Sequence, residues 1–163
     1  MKEIERKFLV DKYKLLSNIK STDIIEDFNI EQGYLCKEDG ITVRIRIQDD
    51  TGFITIKGKT ENISRDEYEY EIPLQDAKDL LKMCDKTIIK ERLVIEYCKK
   101  NWYVDIFDGN NIGLVVAEIE LKNEDEEFSS PDWVLKEVSD DARYYNSNLI
   151  SNPFNTWKFH LFH

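Results

Sequence analysis

Residues 41–60 read ITVRIRIQDDTGFITIKGKT, two runs of alternating apolar and polar side chains on either side of Asp49-Asp50-Thr51-Gly52. A period of two marks a β-strand with unlike faces, and Asp, Thr and Gly between two such runs are turn residues. The stretch predicts an antiparallel hairpin with strands over 41–48 and 53–60. The same alternation recurs at 2–9, 66–72, 87–96, 102–108 and 113–122, with turn signals at Glu38-Asp39-Gly40 and Asp108-Gly109-Asn110-Asn111. Residues 23–35 add a further strand, and most sequence neighbours should pair as antiparallel hairpins.

Helical spacing interrupts the meander at 11–19, at 75–84 after Pro73, and at 140–150, where Asp140 or Asp141 would cap the start. The elements predict a mainly β, α+β chain: an antiparallel barrel or strongly curved sheet covered by a few helices. With 163 residues and no linker, repeat or low-complexity stretch, residues 1–163 form one domain. The acidic run Glu124–Glu127 reads as a solvated loop.

Lys and Arg number 23 against 33 Asp and Glu, a net charge of −10, and 41% of residues are hydrophobic. That apolar content is too high for a disordered acidic chain, and the charge argues against nucleic acid as a partner. No apolar run approaches the roughly 20 residues of a membrane helix, and the start, MKEIERKFLV, is charged where a secretory peptide is apolar, so a cytoplasmic location is expected. Cys36, Cys84 and Cys98 are odd in number and dispersed, fitting neither a disulfide framework nor a thiolate zinc site.

Splitting each strand into its two faces gives one row that is ionic throughout. It holds the bases Lys7, Arg44, Arg46, Lys57, Lys59, Lys90 and Arg92, and the acids Glu3, Glu5, Glu69, Glu71, Asp105, Glu118 and Glu120. The opposite row, with Val43, Ile45, Ile54, Ile56, Tyr68, Tyr70, Ile89, Val104 and Ile119 among others, reads as core. A charged row on an antiparallel sheet ordinarily faces water. Two features oppose that here: the row lacks the usual admixture of Ser, Thr and Asn, and its seven bases balance its seven acids inside a strongly acidic chain. Turned inward, the row would line a polar tunnel. Glu-x-Glu pairs offer hard oxygen ligands suited to Mg²⁺ or Mn²⁺, while Arg-x-Arg and Lys-x-Arg offer donors matched to phosphate, a combination that describes a metal–polyphosphate site.

These motifs resemble the CYTH, or triphosphate tunnel metalloenzyme, group, which includes bacterial inorganic triphosphatases, class IV adenylate cyclases, animal thiamine triphosphatase and fungal RNA triphosphatases. Glu3-Ile4-Glu5-Arg6-Lys7 is similar to its ExExK motif, Val43-Arg44-Ile45-Arg46 to its VRxR strand and Glu67-Tyr68-Glu69-Tyr70-Glu71 to its acidic strand. Lys90-Glu91-Arg92, the strand 102–107, 117–121, Lys136-Glu137-Val138 and Arg143-Tyr144-Tyr145-Asn146 continue it in order, over nearly the whole chain. The resemblance implies an eight-stranded antiparallel barrel enclosing a tunnel. It also implies Glu3, Glu5, Glu118 and Glu120 as ligands of two Mg²⁺ or Mn²⁺ ions, and Lys7, Arg44, Arg46, Lys57, Lys90 and Arg92 as the triphosphate clamp. Glu69, Glu71 and Asp105 would orient the bases or water, Lys136 would position the attacking water, and the protein would be a homodimer. Leu135 departs from the Gly common before the basic residue.

The implied reaction is metal-dependent hydrolysis of a terminal phosphoanhydride of tripolyphosphate, with nucleoside or thiamine triphosphates as secondary substrates. A class IV adenylate cyclase and a non-catalytic polyphosphate-binding module are the alternatives. No histidine is required, and His160 and His163 read as tail residues. The segment Gly52–Thr60 only mimics a P-loop, since five residues separate its glycines where the motif needs four and no helix follows.

Overall fold

The computed structural model describes residues 2–157; His160 and His163 lie outside the described residues. Nine strands run β1 (Lys2–Val10), β2 (Ile24–Glu38), β3 (Ile41–Gln48), β4 (Thr51–Lys57), β5 (Ser64–Ile72), β6 (Thr87–Tyr97), β7 (Lys100–Phe107), β8 (Val115–Glu120) and β9 (Val134–Glu137). They form one antiparallel sheet in the order β5-β4-β3-β2-β6-β7-β8-β1-β9, and a β5–β1 pairing closes eight of them into a barrel. Strand β1 makes the closure by changing partners. Glu5–Leu9 pair with β8, Lys2–Ile4 with β5, and the edge that β5 leaves is taken by β9 at Phe8 and Val10.

The hairpin predicted over 41–60 forms as β3 and β4. Asp39 and Gly40 both have positive φ, 53° and 79°, matching the two-residue turns that follow the natural twist of a hairpin. The β6–β7 turn achieves the same with Cys98 and Lys99, at φ 49° and 66°, without a glycine.

Three helices form. In α1 (Lys12–Asn18), the Asp11 carboxylate caps the start by accepting from the Lys14 N–H at 3.1 Å. Helix α2 (Leu74–Lys82) follows Pro73 and buries Ala77 and Leu81, one turn apart. The tail differs from the single helix expected over 140–150. Asp141 accepts from the Arg143 N–H and heads a 3₁₀ turn at Ala142–Tyr144, Tyr145 is extended, and α3 spans Asn146–Ser151. Strand β9, four residues long, was not expected at all.

Alternation sends the ionic row inward, and the apolar row forms the outer wall. The outer face of β1, β6, β7 and β8 is covered by Leu15 of α1 and by residues 121–134. Trp102, fully buried, meets Phe8, Phe128 and Trp133 edge-on at 5.7, 5.7 and 5.9 Å. On β3–β5, α2 packs on Ile45, Ile47, Ile54 and Ile72. It approaches so closely at Gly52 that a Cβ there would lie 2.6 Å from that of Ala77. A nine-residue helix is only about 14 Å long, so it leaves part of this wall bare. Ile56, Tyr68, Tyr70 and Ile89, read from the sequence as core, are 38 to 59% exposed.

One end of the barrel is filled. Leu9, Ile88, Phe107 and Val116 share the inward face with Lys7, Lys90, Asp105 and Glu118, and pack against Tyr144, Leu149, Phe154 and Trp157 of the tail. Since Trp102 is the hub of the outer core, Trp102→Ala should cost about 3–5 kcal/mol in urea unfolding. Its buried indole N–H has no hydrogen-bond partner among the described residues, so Trp102→Phe should cost less.

Candidate active site

Above that apolar plug the barrel holds a cavity of about 220 Å³ whose wall is mostly ionic. Along β1 the inner row runs Glu3, Glu5, Lys7 and then Leu9 of the plug; along β8 it runs Glu120, Glu118 and then Val116. Across the ladder the Glu5 carboxylate stands opposite that of Glu120, and the Lys7 ammonium opposite the Glu118 carboxylate. Burial, then the neighbouring Glu118 and Glu3, push the Glu5 carboxyl well above its ordinary range. Although burial works the other way, Lys7 and Arg92 hold Glu118 well below its own. Burial and the charges of Glu3 and Glu118 also raise Glu120.

The bases are arranged more deeply. Asp105, completely buried, accepts from Arg92 through both oxygens, at 2.6 and 2.8 Å, and from the Lys90 ammonium at 2.7 Å. Against the penalty of burial, Arg92 and Lys90 hold this carboxyl below its ordinary value. Lys90 also donates to Asn146 Oδ1 at 3.0 Å. Lys7 donates to the Tyr144 carbonyl at 3.1 Å and lies 3.5 Å from Glu118. Lys57 bridges Glu3 at 3.0 Å and Glu67 at 3.4 Å. Arg44 donates to Thr55 at 3.0 Å and Glu69 at 3.3 Å, and Thr55 donates to the same Glu69 oxygen at 2.7 Å.

Arg46 stands apart. It is 8% exposed, lines the cavity, and has no hydrogen bond or ion pair among the described residues; its Nε is buried and unsatisfied. Burial, with Arg44 and Arg92 close by, pulls its guanidinium down to about 9. Glu69 and Asp105 offset this only in part, neither touching the guanidinium, and an anion entering the cavity would reduce the cost of burying it.

Of the residues singled out in the sequence, Glu3, Glu5, Lys7, Arg44, Arg46, Lys57, Glu69, Arg92, Glu118 and Glu120 meet on this wall. Asp105 lies behind it, holding Arg92 from the rear. Lys90, expected in the clamp, also lies behind it: the Asn146 amide stands in the wall instead. Glu71 is exposed and does not line the cavity, whereas Glu67 of the same strand does. Lys136, expected to position water, is exposed and lines a separate surface depression with Glu137–Ala142. Strand β9 joins β1 at Phe8–Val10, level with Leu9 of the plug, and the depression shares only Ser139 with the cavity.

The structure adds residues that the search for charges passed over. Tyr34 lines the cavity opposite Arg44 in the ladder, and its hydroxyl accepts from Gln32 Nε2 at 3.3 Å. Burial raises this phenol, which therefore stays protonated and can donate. The signal was present: Ile30, Gln32 and Tyr34 alternate in phase, but none of the three is charged. Arg65 lines the cavity too and ties two hairpin turns together through the Gly58 and Gly40 carbonyls, at 3.0 and 3.3 Å.

The CYTH domain profile matches residues 1–147, and the chain belongs to that family. It is 43% identical over 161 residues to an inorganic triphosphatase of Acetivibrio thermocellus, covering 96% of this chain and 98% of that one. It is 31% identical over 154 residues to an inorganic triphosphatase of Nitrosomonas europaea, at 91% and 97% coverage. A crystal structure of an inorganic triphosphatase superposes with a TM-score of 0.64 at 29% identity, covering 91% of this chain and 93% of that one. An adenylyl cyclase-like protein of Hippeastrum with a dominant triphosphatase activity shares the fold at 15% identity and a TM-score of 0.60, over 74% of this chain and 80% of that one.

Two predictions follow from the uncompensated bases. Replacing Arg46 by Met should leave the ligand-free protein as stable as wild type or more so, while removing stabilisation by added tripolyphosphate; paired melting curves test both halves. Burial, then Arg92 and Arg46, also pull the Lys90 ammonium down to about 7, despite Asp105. Its ordinary value is about 10.4, so between roughly pH 7 and 10 the folded state binds fewer protons at this site than the unfolded state. Unfolding free energy should therefore rise with pH across that window. Wild type should gain on Lys90→Met as urea unfolding is repeated from pH 7 to 9.

Proposed function

We propose that the chain hydrolyses the terminal phosphoanhydride of inorganic tripolyphosphate in a divalent-metal-dependent reaction. The observation that carries this reading is Arg46: a buried, unpartnered guanidinium facing a cavity that Arg44, Lys7 and Arg92 also line. A pure anion binder gains nothing from carboxylates around its ligand, yet Glu3, Glu5, Glu118 and Glu120 share the same wall. Their donors are all hard oxygens, and burial together with the neighbouring carboxylates raises Glu5 and Glu120, a penalty that a bound cation would relieve. Mg²⁺ and Mn²⁺ bind through few carboxylates and complete their shells with water and substrate phosphate. Bound between Glu3, Glu5, Glu118 and Glu120, the metal would neutralise phosphate charge and favour ionisation of water.

The protein's own contribution is position and charge. Arg44 and Arg46 present guanidinium donors to the phosphoryl oxygens, Arg92 is held in place by Asp105, and Glu69 with Thr55 fixes Arg44. Lys7 adds a point charge near the plug, and Lys57 spans Glu3 and Glu67 on the acidic side. When water attacks the terminal phosphorus, the bridging P–O bond breaks, its electrons pass to pyrophosphate, and orthophosphate carries the new oxygen. Such transfer depends on alignment and charge neutralisation more than on a strong base, so no histidine is required.

A product assay tests the reading. Tripolyphosphate with Mg²⁺ or Mn²⁺ should give orthophosphate and pyrophosphate, EDTA should abolish turnover, and Glu5→Gln or Arg44→Ala should slow it by about a hundredfold or more. Cyclic AMP with pyrophosphate from ATP would instead make the protein a cyclase. Tight binding with no turnover of tripolyphosphate, ATP or thiamine triphosphate would make it a binding module.

A further inference from the structure

The bend at Tyr145 brings the tail back to the barrel, where lysines from three strands grip it. Lys7 of β1 donates to the Tyr144 carbonyl, Lys90 of β6 to Asn146 Oδ1, and Lys37 of β2 to Asn148 Oδ1 and, at 3.4 Å, the Ser147 carbonyl. Asn146 differs from its neighbours in what lies on its two sides. Behind it is a buried ammonium that does not itself line the cavity; in front is the cavity. An ammonium only donates, so the amide atom facing Lys90 is the oxygen, and the NH₂ group projects from the other branch of the amide.

In its protonated form, which an incoming polyanion favours, Lys90 polarises a neutral amide that lines the cavity. Hydrogen bonds in series strengthen one another, so an N–H whose own carbonyl is held by a cation is a better donor to an anion. We propose that Asn146 is a further substrate-contacting residue of the triphosphate site, relaying the charge of Lys90 to a phosphoryl oxygen through its side-chain amide. This rests on the triphosphatase reading and deepens it. The neutral acceptor matters because Lys90 already faces the Asp105 carboxylate: a second carboxylate at 146 would satisfy Lys90 equally well but would repel the phosphate.

The test compares wild type, Asn146→Ala, Asn146→Asp, Lys90→Met and the double variant Lys90→Met/Asn146→Ala. The probe is the imido-bridged analogue of tripolyphosphate with Mg²⁺, titrated calorimetrically, beside turnover of tripolyphosphate itself. Asn146→Ala should weaken the analogue by about tenfold, the loss typical of a hydrogen bond to a charged group, and raise KM with a smaller change in kcat. Asn146→Asp, isosteric and so safe for folding, should weaken it further. The double variant should bind no worse than Lys90→Met alone, because the two residues act in series. Wild-type affinity in both Asn146 variants, or losses that simply add in the double variant, would overturn the relay. Wild type that neither binds the analogue nor turns over tripolyphosphate would overturn the functional reading, and the relay with it.

Discussion

Asp105 is the counter-charge on which the inner wall depends. It is completely buried and serves two cations at once, with Arg92 on both oxygens and Lys90 on one of them. One carboxylate between two bases leaves positive charge over, and Arg46 adds a third base with no partner. Desolvating such groups costs several kcal/mol each, and even well-paired buried ions contribute little net stability. The inner wall is therefore a standing cost of the fold, offset by the apolar layer wrapped round the outside.

That division explains why the barrel is covered unevenly. Trp102, Phe8, Phe128 and Trp133 give β1 and β6–β8 a dense aromatic outer core. These are the strands that carry Glu3, Glu5, Lys7, Arg92, Asp105 and Glu118, and fixing their backbones holds the charged groups in place. Strand β1 concentrates the dependence: its first residues close the barrel against β5, its middle carries Glu5 and Lys7 beside β8, and its end takes up β9. Outside the barrel, Arg6 grips Glu137 through two nitrogens at 2.9 and 2.5 Å. Ser139 donates to Glu137 at 2.6 Å and accepts the Lys7 N–H at 2.9 Å, so β9 clamps the backbone at the residue whose side chain enters the cavity.

The strands and their faces were legible in the sequence because period-two alternation is local: Arg44 and Arg46, or Glu118 and Glu120, declare a shared face without knowledge of the fold. Whether that face turns inward, which end is sealed, and how deep each residue lies are set by closure and register, which are not local. Hence Glu71 and Glu67, equivalent by alternation, part company, and Lys136 lines a surface depression and not the cavity. Tyr34 escaped because its nearest neighbours in phase, Ile30 and Gln32, carry no charge. The β9 strand escaped because four residues hold too little pattern to register.

The tail was the least legible part, and the physical reason bears on how the site works. Its contacts with Lys7, Lys90 and Lys37 go to two backbone carbonyls and two side-chain amides, groups that no search for charge patterns would select. A carbonyl orients an ammonium without neutralising it, whereas a carboxylate does both. Had the tail offered Asp or Glu at these points, the same geometry would have formed and the positive field inside the barrel would have been largely cancelled. The tail's neutral acceptors thus fix the direction of these lysines without adding to the negative charge of Asp105 and Glu118, which Lys90 and Lys7 already face.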